Sequence, residues 1–356
     1  MSRKRLFAAV LAGLALLATM ITTNAGPAQA AVPDRKGWVL WNQAGPAVVP
    51  FGTWPPATTV VQPALGRYRV TFPGQAAPGG VVHVTAINTA PRWCQVDSWG
   101  VVGADEIANV SCRAPGGALA QTSFSAVFYS SSGGPAAGPY GYVYSTAAGA
   151  VVNQYNSAAG INTVFPGPVG VYLVRFPGIV TGGPLDGSVQ VTSVLASAAA
   201  RCKVGGWSST ALGQDVTVRC FNAAGAPVNT AFTVTYQHKV SLYGASSPPF
   251  RFGYVLFQPG VGPPTTNYNN GLLAFGANTV GGGGGLFIVT FPAIGVPQNT
   301  VQVSAYGPSP DFCGMNVPWL NAGGAPPQLI VRDVNCFTNA GAPVTTGFTV
   351  SASSIA

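Results

Sequence analysis

A segment of seventeen residues occurs twice in this chain, and this internal repetition constrains the fold more than any other feature. Residues 220–236 read CFNAAGAPVNTAFTVTY and residues 336–352 read CFTNAGAPVTTGFTVSA, with eleven identical positions. A second motif occurs three times, as RYRVTFPG at 67–74, YLVRFPG at 172–178 and FIVTFPA at 287–293. Self-similarity at a regular spacing indicates repeated structural units, so we expect three copies of one domain.

The cysteines give the length of the repeated unit. The first two pairs each enclose seventeen residues, and the third pair encloses twenty-two. The second pair follows the first by 108 residues at both positions. An even number of cysteines in an exported chain predicts disulfides. We therefore predict one bridge in each unit: Cys94–Cys112, Cys202–Cys220 and Cys313–Cys336.

The repeated segments have the two-residue period of β-strands. Tyr172, Val174 and Phe176 fall on one face of such a strand. Glycine and proline bound these runs every eight to twelve residues, and no amphipathic helix is evident. The prediction is an all-β protein of three tandem antiparallel β-sandwiches, immunoglobulin-like or jelly-roll-like, with the strand order left open. The predicted units are 31–133, 134–245 and 246–356, bounded by SSSGGPAAGP at 130–139 and GASSPP at 244–249.

The repeats also carry a resemblance to a known group of proteins. The motif GxYxVxFPG, the strands VQVTS and VQVSA, and the segment VRCFNAAGAPVNTAFTV resemble secreted tandem-repeat proteins of actinobacteria and myxobacteria. The resemblance covers nearly the whole chain after its first thirty residues. It implies export and a repeated β-domain, and it implies no reaction or ligand, because the group has none assigned.

Residues 1–30 have the layout of a cleavable secretory signal peptide. Arg3, Lys4 and Arg5 precede an apolar stretch, and Ala28-Gln29-Ala30 is a small-residue cleavage signal. We predict an extracellular protein with no membrane span after cleavage. Removal of the signal leaves 13 basic residues against 8 acidic ones, and they are scattered singly. Nucleic-acid binding needs a clustered basic face, so no nucleic-acid partner is expected.

Few residues in the chain are suited to catalysis or metal binding. There are two histidines: His83 alternates with inward-facing valines, which predicts solvent exposure, and His238 lies in a linker-like segment. Asp97, Asp105 and Glu106 lie close together in the first disulfide loop, where a solubilising role is the simplest interpretation and a catalytic or calcium site is the alternative. We expect no cofactor and no metal ion.

The aromatic residues divide into two sets. Those at repeated positions are expected in the core: Trp99, Trp207, Trp319, Tyr68, Tyr172 and Phe287. Three tryptophans of the first unit are not matched by a tryptophan in either of the other units: Trp41, Trp54 and Trp93. An exposed indole can stack on a sugar ring, so these three are the candidate ligand-binding residues, although partial burial against loops is the simpler interpretation.

The sequence therefore favours a secreted, non-enzymatic binding or structural protein. Its expected partners are an extracellular polysaccharide, the cell wall or a surface protein. The alternatives are a secreted hydrolase acting on polysaccharide or peptide, disfavoured by the shortage of carboxylates and histidines, and a secreted inhibitor that presents a loop to a protein partner. The oligomeric state is left open.

Overall fold

The computed structural model describes residues 33–43, 52–131, 138–244, 251–264 and 266–355. The predicted signal peptide and most of both predicted domain boundaries lie outside these residues. Val32–Ala356 forms one compact unit. Within the described ranges, no helix is long and apolar enough to cross a membrane.

The described chain is all-β, and its strands follow the three repeats. The first repeat contains β1 (Arg35–Trp41), β2 (Thr53–Trp54), β3 (Thr59–Ala64), β4 (Arg67–Phe72), β5 (Val81–Ile87), β6 (Trp93–Val102), β7 (Asp105–Arg113) and β8 (Ser123–Ser130). The second contains β9 (Tyr140–Ser145), β10 (Val151–Asn156), β11 (Thr163–Pro166), β12 (Val171–Pro177), β13 (Ser188–Val194), β14 (Ala200–Thr210), β15 (Gly213–Asn222) and β16 (Ala231–Gln237). The third contains β17 (Phe252–Phe257), β18 (Thr266–Asn269), β19 (Ala274–Phe275), β20 (Thr279–Gly283), β21 (Leu286–Pro292), β22 (Asn299–Tyr306), β23 (Phe312–Met315), β24 (Leu320–Ala322), β25 (Gln328–Phe337) and β26 (Gly347–Ser354).

Each repeat folds into two antiparallel sheets that pack face to face. In the first repeat, sheet I has the order β2-β1-β8-β5 and sheet II has the order β3-β4-β7-β6. Apolar side chains from both sheets fill the space between them, for example Val39 and Phe124 from sheet I and Val70 and Val110 from sheet II. The same arrangement recurs in the other repeats, which confirms the predicted β-sandwich fold.

The disulfides lie in sheet II of each repeat and match the prediction. The three bridges are Cys94–Cys112, Cys202–Cys220 and Cys313–Cys336. In each case the two cysteines face each other across neighbouring antiparallel strands. Disulfides of this kind are typical of proteins from oxidising compartments.

The three sandwiches join edge to edge and close a ring. Sheet I of each repeat continues into sheet II of another repeat through one parallel bridge: Ile87 with Met315, Val194 with Val96, and Val204 with Tyr306. A main-chain hydrogen bond of 2.8–2.9 Å accompanies each bridge. The first repeat thus pairs with the third, the third with the second, and the second with the first. We call the line around which these equivalent contacts are arranged the central axis.

The central strands β5, β13 and β22 are buried on both faces, because one face packs in its own sandwich and the other meets the neighbouring repeats. His83 of β5 is 1% exposed and lies 3.1 Å from the Thr192 hydroxyl and 2.9 Å from the Thr235 hydroxyl, both in the second repeat. The predicted solvent exposure of His83 was wrong. Burial lowers the pKa of this imidazole to about 3, so His83 is neutral at pH 7.

A cyclic set of hydroxyl contacts links the central strands. Thr85 accepts a hydrogen bond from the Val303 main-chain N–H at 2.9 Å and donates to the Gln302 side chain at 3.0 Å. Ser304 likewise accepts from the Val191 N–H at 3.0 Å. Thr192, the third equivalent position, completes the set with a longer contact to Val84. Each repeat thus uses the same hydroxyl position to hold the main chain of the next one.

Candidate functional site

A groove lies where the first repeat meets β10 of the second. Its volume is about 460 Å³, within the usual range for ligand sites of roughly 300–1,000 Å³. It is lined by 76–79, by 99–101, by Glu106 and by Asn153. The loop before β5 and the β6–β7 hairpin supply the first repeat's side, and β10 supplies the amide of Asn153.

Trp99 forms the aromatic wall of this groove. It is half-buried, and its ring centroid lies 4.6 Å from that of Tyr144, at an interplanar angle of 56°. The equivalent Trp207 and Trp319 are 4% and 1% exposed. Their indole N–H groups donate to the Asp186 main-chain oxygen at 2.8 Å and the Asn299 side-chain oxygen at 2.6 Å. The core prediction is confirmed for Trp207 and Trp319, whereas Trp99 is only partly covered.

The loop before the central strand covers the tryptophan in the second repeat but not in the first. Nine residues, 179–187, connect the FPG motif to the central strand in the second repeat, and six residues, 75–80, make this connection in the first. In the second repeat the longer loop folds onto Trp207, where Leu185 donates its main-chain N–H to the Trp207 main-chain oxygen at 3.1 Å and packs on the core. In the first repeat, residues 76–79 of the corresponding loop line the groove together with Trp99. Loop length alone does not decide the exposure, because the third repeat has only five residues at this place, 294–298, and its Trp319 is 1% exposed.

Glu106 lies in the floor of the groove. The side chain is fully buried, and one carboxyl oxygen accepts the Ala77 main-chain N–H at 3.2 Å while the other has no hydrogen-bond partner. Burial raises the pKa of Glu106 to about 7, so a large fraction of this carboxyl is protonated at neutral pH and able to donate a hydrogen bond. The strand register places Gln214 at the equivalent position in the second repeat.

The other two acidic residues of the predicted cluster have separate partners. Asp97 forms an ion pair with Arg67 at 2.9 Å and accepts the Ser111 hydroxyl at 2.6 Å. Asp105 accepts the Gly74 main-chain N–H at 2.9 Å. Over the part of the chain that the structure describes, no group of three or more His, Cys, Asp or Glu side chains is placed to hold a metal ion.

The three tryptophans predicted to bind ligand lie in three different clusters. Trp41 is partly buried against the core of the first repeat, and Trp54 stacks on Trp38 with ring centroids 6.2 Å apart. Trp93 is 4% exposed, and the Arg201 guanidinium lies 4.5 Å from its ring centroid. The structure therefore does not bring Trp41, Trp54 and Trp93 together on one surface.

Both histidines have polar partners. The His238 Nε2 lies 3.2 Å from a carboxylate oxygen of Asp186, and burial lowers the pKa of the His238 imidazole. His83 lies in the ring interior, as described above. Neither histidine lines the groove beside Trp99.

The fold defines an all-β protein of three fused sandwiches with an open groove beside Trp99 in its first repeat. No protein-family model, curated protein or solved structure matches the chain. The length of the loop at 75–80 gave no signal for the groove, because the corresponding loop of the third repeat, 294–298, is not longer and its Trp319 is buried. Tyr144 and Asn153 gave no such signal, because they belong to another repeat and reach the site only through ring closure.

Proposed function

We propose that the protein is an exported, non-enzymatic binding protein that takes up a neutral extracellular polysaccharide in the groove of its first repeat. The observation that carries the proposal is the half-buried ring of Trp99 in a groove of about 460 Å³. The predicted signal peptide of residues 1–30 and the three disulfides support export.

The chemistry of the groove favours an uncharged sugar. Trp99 and Val101 offer apolar surface, and the Asn153 amide offers both a donor and an acceptor. Among the described residues that line the groove, Glu106 is the one ionisable side chain, and its raised pKa favours the neutral acid. A flat aromatic wall with a few convergent polar groups suits a sugar ring, which has apolar faces and a polar edge.

One observation favours a second candidate, a secreted glycoside hydrolase. A carboxyl with a pKa near 7 beside a tryptophan has the protonation state that a general acid needs. Glycoside hydrolysis normally requires a second carboxylate roughly 5–9 Å from the first. The lining of the groove, as far as the structure describes it, supplies Glu106 alone. We therefore place binding before hydrolysis.

The test is retention of residues 31–356 on insoluble cellulose, chitin and purified cell wall. We expect Trp99→Ala to lose retention by about tenfold or more, because a tryptophan at the centre of a binding site typically contributes about 2 kcal/mol. Trp54→Ala is the matched control, since Trp54 is a partly buried tryptophan of the same repeat outside the groove. Unfolding midpoints of both variants establish that they are folded.

The possible outcomes distinguish a polysaccharide-binding protein from a glycoside hydrolase. Loss in Trp99→Ala alone supports the groove, and equal retention of both variants places the binding site elsewhere. Release of soluble sugar from a retained polymer, abolished by Glu106→Gln, favours the hydrolase. If the native protein binds none of the three polymers, the polysaccharide proposal fails, and a protein partner of the surface-receptor or inhibitor kind becomes the better explanation.

A further inference from the structure

A second candidate site lies on the central axis, at the end that carries the disulfides. Three equivalent residues, one before the first cysteine of each repeat, converge there: Trp93, Arg201 and Phe312. The Arg201 guanidinium lies 4.5 Å from the Trp93 ring centroid and 4.9 Å from that of Phe312. The two rings meet edge to face, with centroids 5.4 Å apart. One cation thus packs against two aromatic side chains, and the three residues come from three different repeats.

A small cavity lies beside this cluster. Its volume is about 50 Å³, several times the roughly 10–15 Å³ that one water molecule needs on this measure. All three repeats contribute to its wall, through the axial hydroxyl residues Thr85, Thr192 and Ser304 and through one cysteine of each disulfide. Three charged residues also line it: Arg201, Lys203 and Asp311.

The two cations of the cavity are buried and incompletely paired. Lys203 is 3% exposed and its amine has no hydrogen-bond partner. Arg201 is 5% exposed; its Nη2 donates to the Pro310 main-chain oxygen at 3.3 Å and to Asn339, while Nε and Nη1 have no partner. Buried cations without partners are costly, and a bound anion would offset that cost.

The residue equivalent to Lys203 in the first repeat is Gln95, and its side chain has hydrogen-bond partners. Gln95 donates to the main-chain oxygens of Leu195 and Ala198, and accepts the Ala200 main-chain N–H at 3.0 Å. Its amide thus links the first repeat to the second. Lys203 stands at this position in the second repeat and has an unpaired ammonium group instead.

The charges around Lys203 leave an excess of positive charge. The groups that act on it are the carboxylate of Asp311 and the guanidinium groups of Arg201 and Arg219. Three cations therefore face one anion. Desolvation lowers the pKa of the Lys203 amine to about 8, and an anion beside it would raise that pKa again.

We propose that the axial cavity binds one small inorganic anion of halide size, held by the Lys203 ammonium and the Arg201 guanidinium. The volume excludes large organic anions. The site does not depend on the groove beside Trp99, since it lies in a different cavity with different lining residues.

The test compares the thermal unfolding of residues 31–356 in sodium bromide and in sodium gluconate at equal ionic strength. We expect bromide to raise Tm by about 2 °C at ten times its dissociation constant, and gluconate to have no such effect. Lys203→Met should abolish the difference while retaining an apolar stem. Lys239→Met, which removes an exposed lysine, is the matched control and should respond like the native protein.

Crystals of the native protein soaked in bromide give a readout that needs no variant. An anomalous peak within hydrogen-bond distance of the Lys203 amine supports the site, even if Lys203→Met fails to fold. Equal Tm responses to bromide and gluconate, the same bromide response in Lys203→Met, or a cavity that holds only water in the soaked crystal would each overturn the proposal.

Discussion

Replacing Glu106 by glutamine should make the protein more stable at neutral pH. In the unfolded chain this carboxyl titrates near 4.5, whereas burial raises its pKa to about 7 in the folded protein. A difference of that size corresponds to at most about 3 kcal/mol at pH 8, and we expect about 1–3 kcal/mol because the surroundings relax around the charge. We choose glutamine as the replacement because Gln214 occupies the equivalent position in the second repeat.

The direction of the pH effect follows from the raised pKa. Between about pH 4.5 and 7 the folded state holds more protons at Glu106 than the unfolded state does. The contribution of Glu106 to stability is therefore fully present below pH 4.5 and is lost as the pH rises through 7. His83 acts in the opposite direction, because its pKa falls from 6.5 to about 3 on folding. The informative quantity is thus the difference between the native protein and Glu106→Gln at each pH.

The assay is guanidinium unfolding of both proteins with disulfides intact, at several pH values from 4 to 8. We expect their unfolding free energies to differ little at pH 4 and to diverge as the pH rises, with Glu106→Gln about 1–3 kcal/mol more stable at pH 8. Asp105→Asn, a change at the neighbouring carboxylate, serves as the control for a general loss of negative charge. A constant difference across the pH range, or a Glu106→Gln protein that is less stable at pH 8, would refute the reasoning.

Two further predictions concern the central strands. His83→Gln introduces the residue found at positions 190 and 302 and should reduce the loss of stability between pH 6.5 and 3. His83 alone accounts for a loss on the order of 4 kcal/mol over this range, which unfolding midpoints at several pH values measure. An unchanged acid profile would contradict the burial of a neutral imidazole. Thr85→Val removes the acceptor of the Val303 N–H and should lower the free energy of unfolding, measured in guanidinium, by about 1–3 kcal/mol. Thr59→Val, a change at an exposed threonine, should alter it little. Equal effects of the two substitutions would argue against the cyclic hydroxyl contacts.

Much of each sandwich was predictable from local patterns. The cysteine spacing gave the three disulfides, and the two-residue period gave the strands and the buried Tyr68, Tyr172 and Phe287. These features depend on contacts within one repeat, so each copy of the motif carries the information. The repetition itself makes the inference firmer, because the same pattern predicts the same strand three times.

Ring closure was not predictable in this way. The second face of β5 carries His83 and Thr85, and polar residues alternating with valines are typical of a solvent-facing strand side. In the folded protein these side chains pair with threonine, serine and glutamine of other repeats, which satisfies their hydrogen bonds in the interior. Hydrophobic periodicity does not distinguish a polar strand face that packs against another polar face from one that is exposed to solvent. The groove was not predictable for a related reason, because Tyr144 and Asn153 belong to the second repeat and contact a site in the first.

Fusion of the three repeats into one chain explains how both candidate sites can exist. A symmetric trimer of identical subunits would place the same residue on its axis three times, and three arginines meeting there would repel one another. In this chain the equivalent positions diverge to Trp93, Arg201 and Phe312, so a single cation packs against two rings. The groove likewise occurs beside Trp99, which is half-buried, while Trp207 and Trp319 are covered. Polymer binding through the groove beside Trp99 would draw its strength from one site in the first repeat, and the avidity of several such sites would require association of several chains.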